Sequence, residues 1–258
     1  MIVLSDVTFA YPREAAVFAG LNWQVAQGQV WSVLGRSGSG KSTLLLLLAG
    51  LVKPQSGMIH VQGRRLDRPR PETGLVLQDY GLLPWATLRD NVALGIRVRR
   101  LYGPDGRHAP AHASPADHDA QTKVDHWLQR LAIAEVSERR PGQVSGGQRQ
   151  RAAIARALVL EPDILLLDEP FAALDAPTRE GLQSLTLALC RESRLTVVLV
   201  THSIEEAIYV GQHVLLLPGR PGDAVTAFAN PHTSDPDYRA TRAYATTCAR
   251  AREALDAS

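Results

Sequence analysis

The 258 residues are 45% hydrophobic and 21% charged, an ordinary globular composition with enough chain to bury a sizeable core without staples. The 28 Lys and Arg against 26 Asp and Glu leave a formal net charge of +2, too thin an excess to argue for nucleic acid. The longest apolar run, residues 44–52, is far short of the roughly 20 needed to cross a bilayer, and residues 1–6 carry no signal-peptide pattern. Cys190 and Cys248 lie far apart and suggest no disulfide framework, so a cytoplasmic protein is expected. Only three lysines occur, Lys41, Lys53 and Lys123, and arginine supplies the remaining basic charge. Composition bias accounts for this except where arginine cannot do the work of lysine.

In chain order, residues 3–9, 21–26, 30–34 and 58–61 are apolar or β-branched runs separated by Gly, Pro and Gln, and read as strands. Residues 41–51 are apolar on nearly every side, the pattern of a buried helix. Residues 87–160 are mainly helical in pattern, interrupted at 103–119 by three prolines and no hydrophobic period. Residues 164–167 and 196–200 suit strands buried on both faces, with Leu182, Leu185 and Leu189 at helical spacing between them. After Pro218 the chain turns polar and proline-rich, and residues 240–257 form a candidate terminal helix. No internal repeat is read. The class is α/β with a helical insertion.

Gly35-Arg36-Ser37-Gly38-Ser39-Gly40-Lys41-Ser42, with Thr43 behind it, fits the eight-position phosphate-loop pattern between a strand and a helix. Three glycines let successive N–H groups wrap an anion, and the helix N-terminus adds partial positive charge. Lys41 supplies a compact cation for the β- and γ-phosphates. Ser42 offers a hydroxyl to Mg²⁺, which takes oxygen ligands.

Ile164-Leu165-Leu166-Leu167-Asp168-Glu169 is a buried run ending in two acids, where a strand's C-terminal end meets the ligand crevice. Asp168 is the candidate Mg²⁺ partner and Glu169 the group that polarises attacking water. His202 ends the next apolar run and is a candidate for the γ-phosphate. Ser145-Gly146-Gly147-Gln148 opens a helix with a serine cap and two glycines, a second anion cradle. One ATP does not need two cradles from one chain. The second is therefore expected to serve a neighbour's ATP in a head-to-tail dimer.

Together these residues resemble the ATP-binding subunit of ABC transporters over roughly residues 2–218. The order matches that family: phosphate loop, Gln78, Ser145-Gly146-Gly147-Gln148, Asp168-Glu169, Asp175, His202. The resemblance implies a P-loop NTPase core with a mixed sheet, an N-terminal antiparallel β subdomain and an inserted helical subdomain over about 87–160. The ATPase domain would span residues 1–228, with a tail, helical in part, over 229–258. ATP and Mg²⁺ are the implied cofactors, in a sandwich dimer whose two ATP each lie between one phosphate loop and the other subunit's Ser145 segment. Gln78 is implied to sense Mg²⁺ and the attacking water, and Asp175 to lie at the dimer seam. Tyr11 matches the aromatic that stacks on adenine, worth about 1–3 kcal/mol where base stacking has been measured; a packing role stays open for it. Val144 stands where the family usually has leucine. The segment 103–119 is longer than usual, and its His108, His112 and His118 show no acid or cysteine shell for a metal.

Two stretches resemble the importers of nitrate, sulfonates and taurine: Leu82-Leu83-Pro84-Trp85 with Leu88-Arg89-Asp90-Asn91-Val92, and Thr201-His202-Ser203-Ile204-Glu205-Glu206-Ala207 with Arg220-Pro221-Gly222. Trp85 would lie near the groove that receives a membrane subunit's coupling helix, or else be core. The implied partners are a second ATP-binding subunit, two membrane-spanning permease subunits and, indirectly, a periplasmic or lipid-anchored solute-binding protein, at the cytoplasmic face of the bacterial inner membrane. Motors of thiamine or pyrimidine-precursor importers share much of this pattern. An exporter's motor, a soluble ABC ATPase and a non-catalytic nucleotide module are the other readings; Gln78, Glu169 and His202 argue against the last.

Overall fold

The computed structural model describes residues 2–113, 119–220, 222–235 and 237–256. The chain opens with β1 (Ile2–Ala10), β2 (Ala16–Val25), β3 (Val30–Leu34), α1 (Lys41–Leu48), β4 (Ser56–Val61) and β5 (Arg64–Arg65). Next come β6 (Thr73–Val76), α2 (Leu88–Tyr102), α3 (Ala120–Arg130), α4 (Gly146–Leu158), β7 (Ile164–Asp168) and α5 (Ala176–Ser193). The last stretch holds β8 (Thr196–Thr201), α6 (Ile204–Val210), β9 (His213–Leu216), β10 (Thr226–Ala229) and α7 (Arg242–Asp256). Two compact units result, one of residues 1–69, 167–169 and 190–258, the other of 70–166 and 170–189.

In the first unit, β2, β1, β4 and β5 form an antiparallel sheet in that order. Alternation buries Ile2, Leu4, Val7 and Phe9 of β1, and the register shifts between Leu4 and Val7, where Asp6 takes a φ of 53°. Beside it, β3 runs parallel to both β8 and β9, and β10 closes antiparallel on β9, which makes this sheet mixed. Every residue of β3 and β8 is buried, as strands covered on both faces require. The buried helix α1 stops at Leu48, short of the expected residue 51. Gly50 there takes a φ of 71°, and a Cβ on it would stand 2.7 Å from the backbone of Arg68. The C-terminal residues join this unit's core: Tyr238, Cys248, Ala251 and Leu255 pack with Leu34, Ala207, Ile208, Val214 and Leu216. Both cysteines are free and buried.

The second unit carries α2, α3 and α4 around Leu88, Val92, Ile96, Val124, Leu128, Ile154 and Leu158, all buried. Thr87 starts α2 by accepting from Asp90 N. Fully buried Asn91 donates from Nδ2 to the carbonyls of Leu83 and Thr87 at 3.1 and 2.9 Å, which pins the segment before the helix. In the proline-rich loop, Asp105 Oδ2 accepts from His108 Nδ1 at 2.7 Å and His108 stacks on Tyr102. Among the described residues no group of three or more His, Cys, Asp and Glu is arranged to hold a metal, and no helix is long and apolar enough to cross a membrane. His118 and Pro221 lie outside the described residues.

Candidate functional site

Sheet register decides where the first candidates meet. Leu34 pairs with Thr201 across parallel strands, so the segments following β3 and β8 leave the same end of the sheet. Those segments are the glycine loop and His202. Glu169 joins them by donating its N–H to Val200 O at 3.0 Å.

The loop is wound on Gly38 and Gly40, at φ of 83° and 89°, a region that side-chain-bearing residues rarely adopt. A Cβ on Gly40 would stand 2.4 Å from Val17 Cγ1, so β2 presses against the loop's last turn. Gly40 also precedes α1, whose N-terminus has no side-chain cap. Its first-turn N–H groups are thus kept for an anion. Buried Lys41 donates from Nζ to the carbonyls of Gly35 and Arg36, both at 2.9 Å. Burial holds its ammonium below the usual lysine range, opposed by the nearby charges of Glu169 and Asp168. Ser37 is exposed, and Arg36 contributes backbone while its side chain pairs with Asp256 at 3.2 Å. The Ser39 hydroxyl is buried without a hydrogen-bond partner, and a Cβ on Gly35 would stand 2.4 Å from it.

Ser42 Oγ donates to Asp168 Oδ1 at 3.2 Å. A hydroxyl and a carboxylate held together are hard-oxygen donors, so these residues fit Mg²⁺. Glu169 takes a φ of 44°, an uncommon backbone for a non-glycine residue and the kind of strain found at functional sites. Its Oε2 accepts from His202 Nδ1 at 3.0 Å, which leaves Nε2 of the neutral ring as an acceptor. Tyr11 Oη and Thr43 Oγ1 share a hydrogen bond of 3.2 Å, and Phe9 stands edge-on to the Tyr11 ring at 5.0 Å. The first unit therefore gathers Tyr11, the loop through Thr43, Asp168, Glu169 and His202.

The second unit gathers the others. Ser145 caps α4 reciprocally: its Oγ accepts from Gln148 N at 3.3 Å, and Gln148 Oε1 accepts from Ser145 N at 3.0 Å. A Cβ on Gly147 would stand 2.4 Å from Thr178 Cγ2, and one on Gly146 would be 3.6 Å from Ala173 O. Glycines here let the segment before α5 lie against the start of α4. In that segment Asp175 Oδ1 accepts from Thr178 N at 3.1 Å, and this bond holds its carboxyl below the usual range. Gln78 is exposed in the turn after β6.

Sequence reasoning missed what supports these candidates. Arg156 donates to Tyr80 O at 2.8 Å and to Gly81 O at 2.5 Å, and the Arg149 guanidinium lies 5.7 Å from the Tyr80 ring centroid. Tyr80, at a φ of 65°, thereby ties the turn carrying Gln78 to the helix begun by Ser145. Arg179 likewise donates to Leu174 O at 2.6 Å, beside Asp175. The one signal was arginine recurring along an alanine-rich helix. Trp85 is 69% exposed, which excludes the core reading for it.

Residues 18–172 match the family model described as ABC transporter. A nitrate import ATP-binding protein of Synechococcus elongatus is 40% identical over 84% of this chain and 76% of its own length. A taurine import ATP-binding protein of Pseudomonas aeruginosa is 42% identical over 83% of this chain and 76% of its own. Among solved structures, a dimeric ATP-binding cassette in a post-hydrolysis state with ADP and Pi has a TM-score of 0.73 at 29% identity. That match covers 88% of this chain and 98% of the cassette.

Proposed function

Because this chain belongs to the ABC transporter family and is one of its ATP-hydrolysing, Mg²⁺-using subunits, we propose that it is the motor of an importer for a small anion of the nitrate, sulfonate or taurine kind. The observation that carries the hydrolytic part is the Glu169–His202 pair, held at 3.0 Å in the compact unit that also holds the glycine loop. The relatives' named cargoes support the anion.

The loop N–H groups and Lys41 bind the phosphates of ATP. Mg²⁺ would supply charge neutralisation at the phosphate oxygens, with Ser42 and Asp168 as the residues that would hold it. Glu169 accepts the proton of the attacking water, while His202 orients that carboxylate through Nδ1 and, in its imidazolium form, donates from Nε2 to the γ-phosphate. Tyr11 is the adenine platform. Ser145, Gly146, Gly147, Gln148 and Asp175 serve a second copy's ATP in a closed dimer, a reading supported by the dimeric state of the similar cassette. In this reading residues 1–228 are the ATPase domain, 87–160 its helical subdomain and 229–258 a tail. Exposed Trp85 anchors a permease subunit at the cytoplasmic face of the membrane, and a solute-binding protein delivers the cargo outside.

The test is the assembled complex in vesicles. ATP turnover rises when the solute-binding protein carries nitrate, a sulfonate or taurine. Turnover that ignores these anions and responds to thiamine or its precursors overturns the cargo class, and turnover that needs no binding protein overturns import.

A further inference from the structure

The C-terminal helix α7 belongs to no ATP motif, yet within the first unit it reaches two of them. At its end Asp256 Oδ1 accepts from Arg36 of the glycine loop at 3.2 Å. Earlier on the helix, Arg252 Nη2 donates to Glu205 Oε1 at 3.1 Å and Tyr244 Oη donates to Glu205 O at 3.0 Å. Glu205 lies in the first turn of α6, immediately downstream of His202. Between these contacts Cys248, Ala251 and Leu255 pack with Leu34, the residue before the glycine loop, and with Ala207 and Ile208 of α6.

His202 depends on this support more than a buried residue does. Its side chain is 59% exposed, with the Glu169 carboxylate as its polar contact among the described residues. Packing does not fix the ring, so the backbone turn beneath it must. That turn is tied from inside by Thr201 Oγ1 donating to Glu206 Oε2 at 2.7 Å and by the Ser203 cap accepting from Glu206 N at 3.2 Å. Tyr244 and Arg252 grip the same turn from outside.

We propose that α7 is a positioning element of the ATP site, with Tyr244 and Arg252 as positioning residues that hold the turn of Glu205 so that His202 stays on Glu169. This rests on the reading of Glu169 and His202 as the hydrolytic pair. Both residues act through Glu205. Small displacements of a reacting group cost rate far more than they cost binding.

The experiment measures steady-state Mg-ATP turnover and thermal midpoint on the full chain, for Tyr244→Phe with Arg252→Ala, for Arg252→Lys, and for His202→Ala as reference. The double variant should lower kcat about five- to tenfold, with KM for ATP changed less than about twofold and the midpoint within about 2 °C of the parent. Arg252→Lys, which keeps the charge, should recover most of the turnover. Loss of turnover in His202→Ala, with parental kcat in the double variant, overturns the positioning role alone. A lower midpoint with unchanged kcat in the double variant does the same, since it marks α7 as structural only. Full turnover in His202→Ala overturns the hydrolytic reading and the positioning role together.

Discussion

Two helices of this protein begin with glycine-rich segments, and they begin in opposite ways. The start of α1 has Gly40 in left-handed backbone, no side-chain cap and a buried ammonium at its first position. The start of α4 has Ser145 in extended backbone with a reciprocal cap to Gln148. The first leaves its N-terminal donors to a ligand and places a charge where burial disfavours it. The second satisfies donors from its own chain, and its glycines make room for Thr178 and Ala173. One start leaves its donors uncapped and buries a charge at a cost to stability; the other is satisfied from its own chain. That difference is a physical argument for α1 as the primary phosphate site and α4 as a surface completed by a partner.

Lys41→Met tests it most severely. Turnover should fall at least about 100-fold, the scale on which a preorganised charge-stabilising donor is lost. The thermal midpoint should not fall with it. Burial depresses the Lys41 pKa below its ordinary 10.5, so the charged form destabilises the fold. That penalty is whole below the depressed folded-state pKa and fades as pH rises from there to 10.5. The variant's relative stability should therefore be greatest near neutrality and decline in that alkaline window. A drop of several degrees at neutral pH would make Lys41 a structural residue and erase the contrast. Gly40→Ala comes next. Its methyl would meet Val17 Cγ1 at 2.4 Å in backbone that already disfavours it, so a loss of about 1–3 kcal/mol and of ATP binding is expected in denaturant titration and equilibrium binding.

The glycine loop was legible in the sequence because its chemistry is contiguous: strand, loop, cation and hydroxyl follow one another without tertiary help. Glu169 and His202 were legible as the ends of buried runs, and parallel register between Leu34 and Thr201 is what makes such ends converge. The short strands were not. β6 is Thr73–Val76, four residues with a glycine inside, and β9 and β10 are equally brief; only pairing to neighbours makes them strands. β2 begins at Ala16, earlier than its apolar run, because irregular pairing carries Ala16 opposite Ala10. The arginines were misread more seriously. Composition bias explains their number but not their work, since Arg99, Arg151, Arg156 and Arg191 donate to backbone carbonyls far away in the sequence, and Arg149 and Arg179 to carbonyls five residues upstream. A planar fork can bridge two carbonyls, but which two is decided only by the fold.

The smallest effects discriminate most finely between the two helix starts. Ser145→Ala removes a capping oxygen and should cost about 1 kcal/mol of stability. In the isolated chain, ATP binding should stay unchanged under the proposal that α4 serves a partner's nucleotide. Gly38→Ala should do less to the fold than Gly40→Ala: nothing stands within 4 Å of its Cβ, so the cost is that of a φ of 83° alone, about 1–2 kcal/mol. Yet Gly38 lies in the loop proposed to cradle the phosphates, so its stability cost should come with weaker ATP binding. Chemical denaturation and nucleotide titration of the two variants, side by side, read both quantities. Weaker ATP binding by monomeric Ser145→Ala, or unchanged binding by Gly38→Ala, would assign the two cradles the wrong way round.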